Sequence, residues 1–380
     1  MNILDIFLNW NLYGVLIKFV KSMTELPGGS MKSSANTIPA IMLMVSAGLA
    51  VAEDAQAEQV LYLAAYGGST ESVLRDMILP PFEEEHGVRI EYVAGTSTNN
   101  LARLQAQRDN PEIDIAILDD GPMQQAVDLG LCSPVAKAPV LDDIYELAKR
   151  NGGGNSIGVG IVATGIAYNT AAFEKEGWEP PASWLDLGDS KFHGRLTVPA
   201  ITNTYGLHTL ISINAIQGGD LENSDPGFEF IAEKVAPNVR SFETSSSKIS
   251  ELFQTGEVEI GVWGSGRVAS LAATGFPIEM VWPREGAMAL LTTICPVAGS
   301  DQPELQQLLL QHILSSKSQE ILAEYKGWGP TNGKVELREA VAASVAYGPE
   351  EVARLVTVDW SVVNRLRSGW TKRWTREVEQ

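Results

Sequence analysis

Asp119 and Asp120 close an apolar run, Ile113-Asp-Ile-Ala-Ile-Leu118, and offer two carboxylates to a cation through charge-assisted hydrogen bonds. Arg267 follows Gly264-Ser-Gly266 at the start of a helical segment, where first-turn N–H groups and the helix dipole also favour an anion. Thr202 and Asn203, in Ile201-Thr-Asn-Thr-Tyr-Gly206, add neutral donors at another helix start. Tyr66, Tyr205, Trp263 and Trp328 supply flat walls that cover an alkyl chain or face an ammonium. Ser69, in Tyr66-Gly-Gly-Ser-Thr70, is a further hydroxyl beside them or a cap for the next helix. Carboxylates on one side and a guanidinium on the other suit a small zwitterion of the γ-aminobutyrate type. If Arg267 points away, a short diamine suits instead. Structural roles compete at each position: Asp119 can cap its helix, Arg267 can be a solvated helix residue, and Trp263 can pack in the core.

These residues become one site only if the chain places them together. Val60–Ala65, Val88–Val93 and Ile113–Leu118 read as strands, each followed by a helical pattern. The first of these helices, with Val73, Leu74, Met77 and Ile78 on one face, is expected to stop at Pro80-Pro81. Strands alternating with helices give an α/β fold with a parallel sheet, and ligands then bind beyond the carboxyl ends of the strands. That rule selects Tyr66–Thr70, Gly95–Thr98 and Asp119–Gly121. After residue 195 the pattern repeats: strands Arg195–Val198, Glu257–Trp263 and Ile278–Trp282, with helices after Tyr205 and Arg267. Helices are also expected from Pro303, from Ser318, and along the tryptophan-bearing tail to Arg376.

Two apolar runs, Gly158–Asn169 and Ala287–Ala298, are long enough to serve both halves. Read as crossing strands, they divide the chain into a first lobe, 58–163 with 292–335, and a second lobe, 164–291 with 336–380. Two crossings make a hinge, and a hinge makes a cleft.

A length of 380 residues suits two cores better than one. The formal charge of −19 argues against nucleic acid, whose phosphates need a basic face. Cys132 and Cys295 lie in apolar surroundings and are expected to be two separate buried thiols. No metal or cofactor motif appears. A hydrolase is the rival class, but neither Gly-x-Ser-x-Gly nor His-Glu-x-x-His occurs. His86, His193, His208 and His312 are scattered and each is expected at the surface, so the chain is read as a non-enzyme. Residues 31–57 carry a lysine, an apolar stretch from Ile38 and an Ala55-Gln-Ala57 site, the pattern of a cleaved secretory signal. Residues 1–30 then reflect a start codon placed too early, or else a membrane-surface helix over Ile3–Val20. A secreted, acidic, cysteine-poor product of this kind is expected in a bacterial periplasm.

Six segments then occur in order: Tyr66-Gly-Gly-Ser, Pro111-Glu-Ile-Asp-Ile-Ala, Pro181-Ala-Ser-Trp-Leu-Asp-Leu, Phe192-His-Gly-Arg-Leu-Thr-Val-Pro, Gly256-Glu-Val-Glu-Ile-Gly-Val-Trp and Val281-Trp-Pro-Arg-Glu-Gly286. Together they resemble the periplasmic solute-binding proteins of ATP-driven (ABC) importers, in the spermidine/putrescine-binding class, across residues 58–380. The resemblance implies a two-lobed type II periplasmic-binding fold with two crossing hinge strands, a monomer, and ABC permease subunits as partners. It also implies capture of a small amine-containing solute, polyamine or γ-aminobutyrate-like, by lobe closure. Where polyamine receptors place a tryptophan and an aspartate after Pro-Arg-Glu-Gly, this chain has Ala289-Leu-Leu-Thr292. The carboxylate for a terminal ammonium is thus missing, which favours the zwitterion. A ferric-ion receptor of the same fold is the alternative; it usually needs paired tyrosines, and none of the nine tyrosines are adjacent.

Overall fold

The computed structural model describes residues 59–150 and 152–379, so the signal expected at 31–57 and the early start at 1–30 lie outside the described residues. Nine strands form one mixed sheet in the order β2-β1-β3-β9-β4-β7-β5-β6, with β8 paired to β4. β1 (Gln59–Tyr66), β2 (Val88–Gly95) and β3 (Ile115–Asp119) make one parallel group. β5 (Leu196–Pro199), β6 (Val239–Glu243) and β7 (Ile260–Gly264) make another. In the sheet the two groups are linked through β4 (Ile157–Asn169) and β9 (Met288–Pro296), which run antiparallel to each other.

The expected crossing strands are therefore present, and their pairing shows why they must be long. β4 pairs β9 through Ile157–Thr164, then β7 through Thr164–Tyr168 and β8 (Ile278–Val281) through Ile166–Asn169. Every residue of β4 except Asn169 is buried, which explains a continuous apolar run in place of alternation. Gly160 has a positional reason: a Cβ there would sit 2.9 Å from the Trp328 ring.

Ten helices are used below. α1 (Ser69–Val73), α2 (Leu79–His86), α3 (Ser97–Ala106) and α4 (Asp120–Asp128) serve the first parallel group. α5 (Thr204–Ile216), α6 (Ser246–Thr255) and α7 (Ser265–Ala272) serve the second. α8 (Pro303–Leu314), α9 (Ser316–Lys326) and α10 (Trp360–Glu377) follow β9. Pro80-Pro81 does not end the first helical segment. The chain passes through a π turn at Leu74–Ile78 and restarts as α2, with both prolines in its first turn. Their missing N–H groups cost little there.

Two further expectations need correction. Cys132 and Cys295 are joined as a disulfide with Cα atoms 5.8 Å apart. They are 163 residues apart in sequence, but Cys295 pairs Ala116 on β3 and Cys132 bridges Val297, which brings them within bonding reach. Apolar flanks fitted both readings, and only the long-range pairing decides between them. His208 is fully buried on α5, not at the surface. Its Nδ1 lies 2.8 Å from Thr164 Oγ1 on β4, and burial pushes its pKa down to about 3, so it stays neutral.

The quoted sequence segments mostly turn out to hold the frame. Asp114 accepts hydrogen bonds from Tyr62 N (2.7 Å) and Ser300 Oγ (2.5 Å), tying β1 and the segment after β9 to the start of β3. Ser183 Oγ donates to Glu285 (2.6 Å) and Trp184 Nε1 donates to Gly286 O (3.0 Å), so the Ala-Ser-Trp and Pro-Arg-Glu-Gly segments clasp each other. Arg195 pairs Glu259 at 2.9 Å.

Candidate functional site

β1, β3, β5 and β7 all deliver their carboxyl ends to one region, and the first turns of α3, α4, α5 and α7 begin there. Asp119 is its centre. It precedes α4 as the N-cap residue, but its side chain makes no cap hydrogen bond. Its Oδ1 instead accepts from the Tyr66 hydroxyl at 2.6 Å, while its own N–H donates to Ser97 Oγ at 3.0 Å. Tyr66 is held in turn by Tyr92, whose hydroxyl donates to Tyr66 O at 2.6 Å, and by Trp328, edge-on at 6.0 Å.

Burial raises the pKa of Asp119, against the hydrogen bonds from Tyr66 and Ser97 and the positive charges of Arg367 and Arg267. Burial, then the Asp119 charge, raises Tyr66 well above the usual phenol range, so it stays protonated and donates. Tyr205 is pushed up to about 12, mainly by burial, while the facing Arg267 guanidinium opposes the shift and Asp119 adds to it. Tyr66, Asp119, Tyr205 and Arg267 therefore share one electrostatic neighbourhood, although they come from both parallel groups.

Two cations that the sequence did not single out complete it. Lys326, at the end of α9, donates to Ser69 Oγ at 2.5 Å. Burial and the neighbouring Arg267 lower its pKa to about 8. Its placement depends on two glycines: a Cβ on Gly266 would sit 2.9 Å from Gly327 O, and one on Gly327 would sit 2.8 Å from Gly266 Cα. With no side chains between them, the end of α9 meets the first turn of α7, and Lys326 comes beside Arg267. Arg367, on α10, donates to Thr202 O at 2.7 Å. Burial lowers its pKa and the Asp119 charge works against that. The Gly327-Trp-Gly segment was a usable signal for Lys326; Arg367 sat unmarked on the exposed-looking face of a tail helix.

The remaining expected residues divide. Asn203 caps α5, its Oδ1 accepting from Tyr205 N at 2.9 Å, and Thr202 offers its carbonyl to Arg367. Asp120 turns inward: 2% exposed, it accepts from Leu291 N at 3.2 Å, and burial pushes its pKa to about 7. The Trp360 indole also faces that carboxyl, without completing a well-formed hydrogen bond. Trp263 is 2% exposed and stacks on Phe253 at 6.0 Å, on the core side of β7. A separate open cleft of about 1000 Å³, lined by Trp282, Arg284, Tyr347 and Arg354 among others, shares no residue with this group. Among the described residues, no three His, Cys, Asp or Glu side chains are grouped as a metal site.

Known proteins agree with this arrangement at the level of the fold. A crystal structure of an ABC transporter from Clostridium perfringens is similar, with a TM-score of 0.73 and 25% identity, covering 84% of this chain and 99% of that one. That likeness and the two-crossing sheet give the chain a type II periplasmic-binding fold. An uncharacterized protein of Haemophilus influenzae is 26% identical over 362 residues, 92% of this chain and 99% of its own length. Spermidine/putrescine-binding periplasmic protein 1 of the same organism is 25% identical, covering 72% of this chain and 76% of its own. A Salmonella typhimurium periplasmic protein named for 2-aminoethylphosphonate binding is 22% identical, covering 78% of this chain and 86% of its own. The family model of bacterial extracellular solute-binding proteins matches residues 78–349, and the chain belongs to that family.

Proposed function

We propose that this chain is the periplasmic solute-binding component of an ABC importer, and that it captures a small solute bearing both an anionic group and an amine. In this reading β4 and β9 are the hinge between a first lobe, 58–163 with 292–335, and a second, 164–291 with 336–380. Arg267, Lys326 and Arg367 take the anion, Asp119 takes the amine, and Tyr66 and Trp328 form the apolar wall. Ser69, Ser97, Asn203 and Tyr205 hold these groups in place. The closed form is then favoured by the ligand's differential affinity for it. An ABC permease is the partner to which the closed form delivers the solute.

The observation that supports this reading is that Arg267 and Arg367 both act on the Asp119 carboxylate while Lys326 stands beside Arg267. A polyamine offers only cations and would meet repulsion there. The relatives are consistent with either ligand class: one is named for spermidine and putrescine, another for 2-aminoethylphosphonate, which carries an amine and an anion. A thermal-shift panel tests it. 2-Aminoethylphosphonate, β-alanine, γ-aminobutyrate, putrescine and spermidine are compared at equal concentration. At least one anion-bearing amine should raise Tm, by mass action worth about 2.7 kcal/mol at a hundred times Kd, and the polyamines should not. Stabilisation by putrescine or spermidine alone would overturn the proposal.

A further inference from the structure

We propose that the anion selected by this groove is a dianion of the phosphonate or phosphate-monoester class, in preference to a carboxylate; this rests on the anion-bearing solute proposed above. Charge balance is the first argument. Arg267 and Arg367 act on the Asp119 carboxylate, and the close approach of Gly266 and Gly327 sets Lys326 beside Arg267, so the cations here outnumber the one carboxylate they face. Among the described residues none of the three is in an ion pair. Their neighbours on α10 differ: Arg365 pairs Glu222, and Arg373 pairs Asp225 and Glu377. Protonation of Asp119 would only enlarge the positive excess. Closing the groove over such an excess removes it from water, which is costly unless the ligand neutralises it. A carboxylate zwitterion adds no net charge. A phosphonate with an amine adds one negative charge, and a phosphate monoester without one adds two.

Direction is the second argument. The three cations come from three separate elements: the first turn of α7, the last residue of α9, and the middle of α10. A carboxylate has two coplanar oxygens, which a single guanidinium fork already saturates. A phosphonate has three oxygens spread around a tetrahedron, one for each cation. The close approach of Gly266 and Gly327 brings the ammonium and one guanidinium side by side, and Arg367 is held separately by the Thr202 carbonyl.

Matched pairs test this by isothermal titration of the protein: 2-aminoethylphosphonate against β-alanine, and 3-aminopropylphosphonate against γ-aminobutyrate. The phosphonate should bind at least about tenfold more tightly in each pair, about 1.4 kcal/mol. The phosphonate affinity should also rise between pH 5.5 and 7.5 as the second ionisation completes, near pH 6 for phosphate monoesters, with no matching rise for the carboxylates. Lys326→Met and Arg367→Met should each shrink the preference, and Lys326→Arg should keep most of it; an unchanged ligand-free Tm confirms that the variants fold. Equal or tighter binding of the carboxylates would overturn the dianion inference while leaving the anion-and-amine reading intact. If neither member of either pair binds and spermidine does, both fall.

Discussion

Lys326 is the residue whose chemistry exposes the site most readily. Burial and Arg267 hold its pKa near 8, so its ammonium is present at neutral pH and lost as pH rises through that value. Arg267 on α7 and Ser69 on α1 face it. Affinity for an anionic solute should therefore fall between about pH 7 and pH 9, by up to about tenfold for one lost charge-assisted contact. Lys326→Arg should flatten the profile, and a wild-type affinity constant across that range would contradict the placement of Lys326 at the ligand. Arg267→Ala should weaken binding of the same solute about tenfold to a hundredfold, as expected when a hydrogen bond to a charged group is removed. Tyr66 and Asp119 could be singled out because each directly follows an apolar run that reads as a strand, and Arg267 because it follows the Gly264-Ser-Gly266 turn after another. Lys326 and Arg367 were not, because each is defined by what it meets across the fold. Trp263, which also ends a strand, lies on the core face; alternation along β7 settles that only once the sheet's covered face is known.

At the scale of elements, β4 and β9 were the most legible features of the chain. A strand buried on both sides along its whole length leaves a continuous apolar run in place of alternation. The disulfide was illegible for the opposite reason: it joins β9 to the segment after α4, and neither stretch encodes the other's position. Replacing both cysteines with serine should destabilise the chain by about 2–5 kcal/mol, read as a shift in the denaturant midpoint, with the largest loss of amide protection in α4 and β9. No change in midpoint would show that the bridge adds nothing to the fold. α10 crosses between the two groups. Asn364 Nδ2 donates to Gly121 O on α4 at 2.9 Å, and Trp374 packs edge-on against Phe228 and Phe242 on the far side. The notion of a tryptophan-docked tail helix is thus right for Trp360, Trp370 and Trp374, all buried.

Across the whole molecule, the quoted sequence segments carried the family while revealing little of the ligand. Asp114, Ser183, Trp184, Arg195 and Glu285 are spent on clasping strands and loops together. The proposed groove would be built from residues drawn from both parallel groups of the sheet. Tyr66 and Asp119 come from one, Tyr205 and Arg267 from the other, and within the sheet β4 and β9 lie between the two. Small-angle X-ray scattering tests that arrangement most directly. The radius of gyration is measured without ligand and with saturating 2-aminoethylphosphonate or γ-aminobutyrate, whichever raises Tm. It should fall on binding in the wild-type chain and stay constant in Arg267→Ala at the same concentration. A wild-type scattering curve that does not change when the solute is bound would contradict closure of the two halves around it.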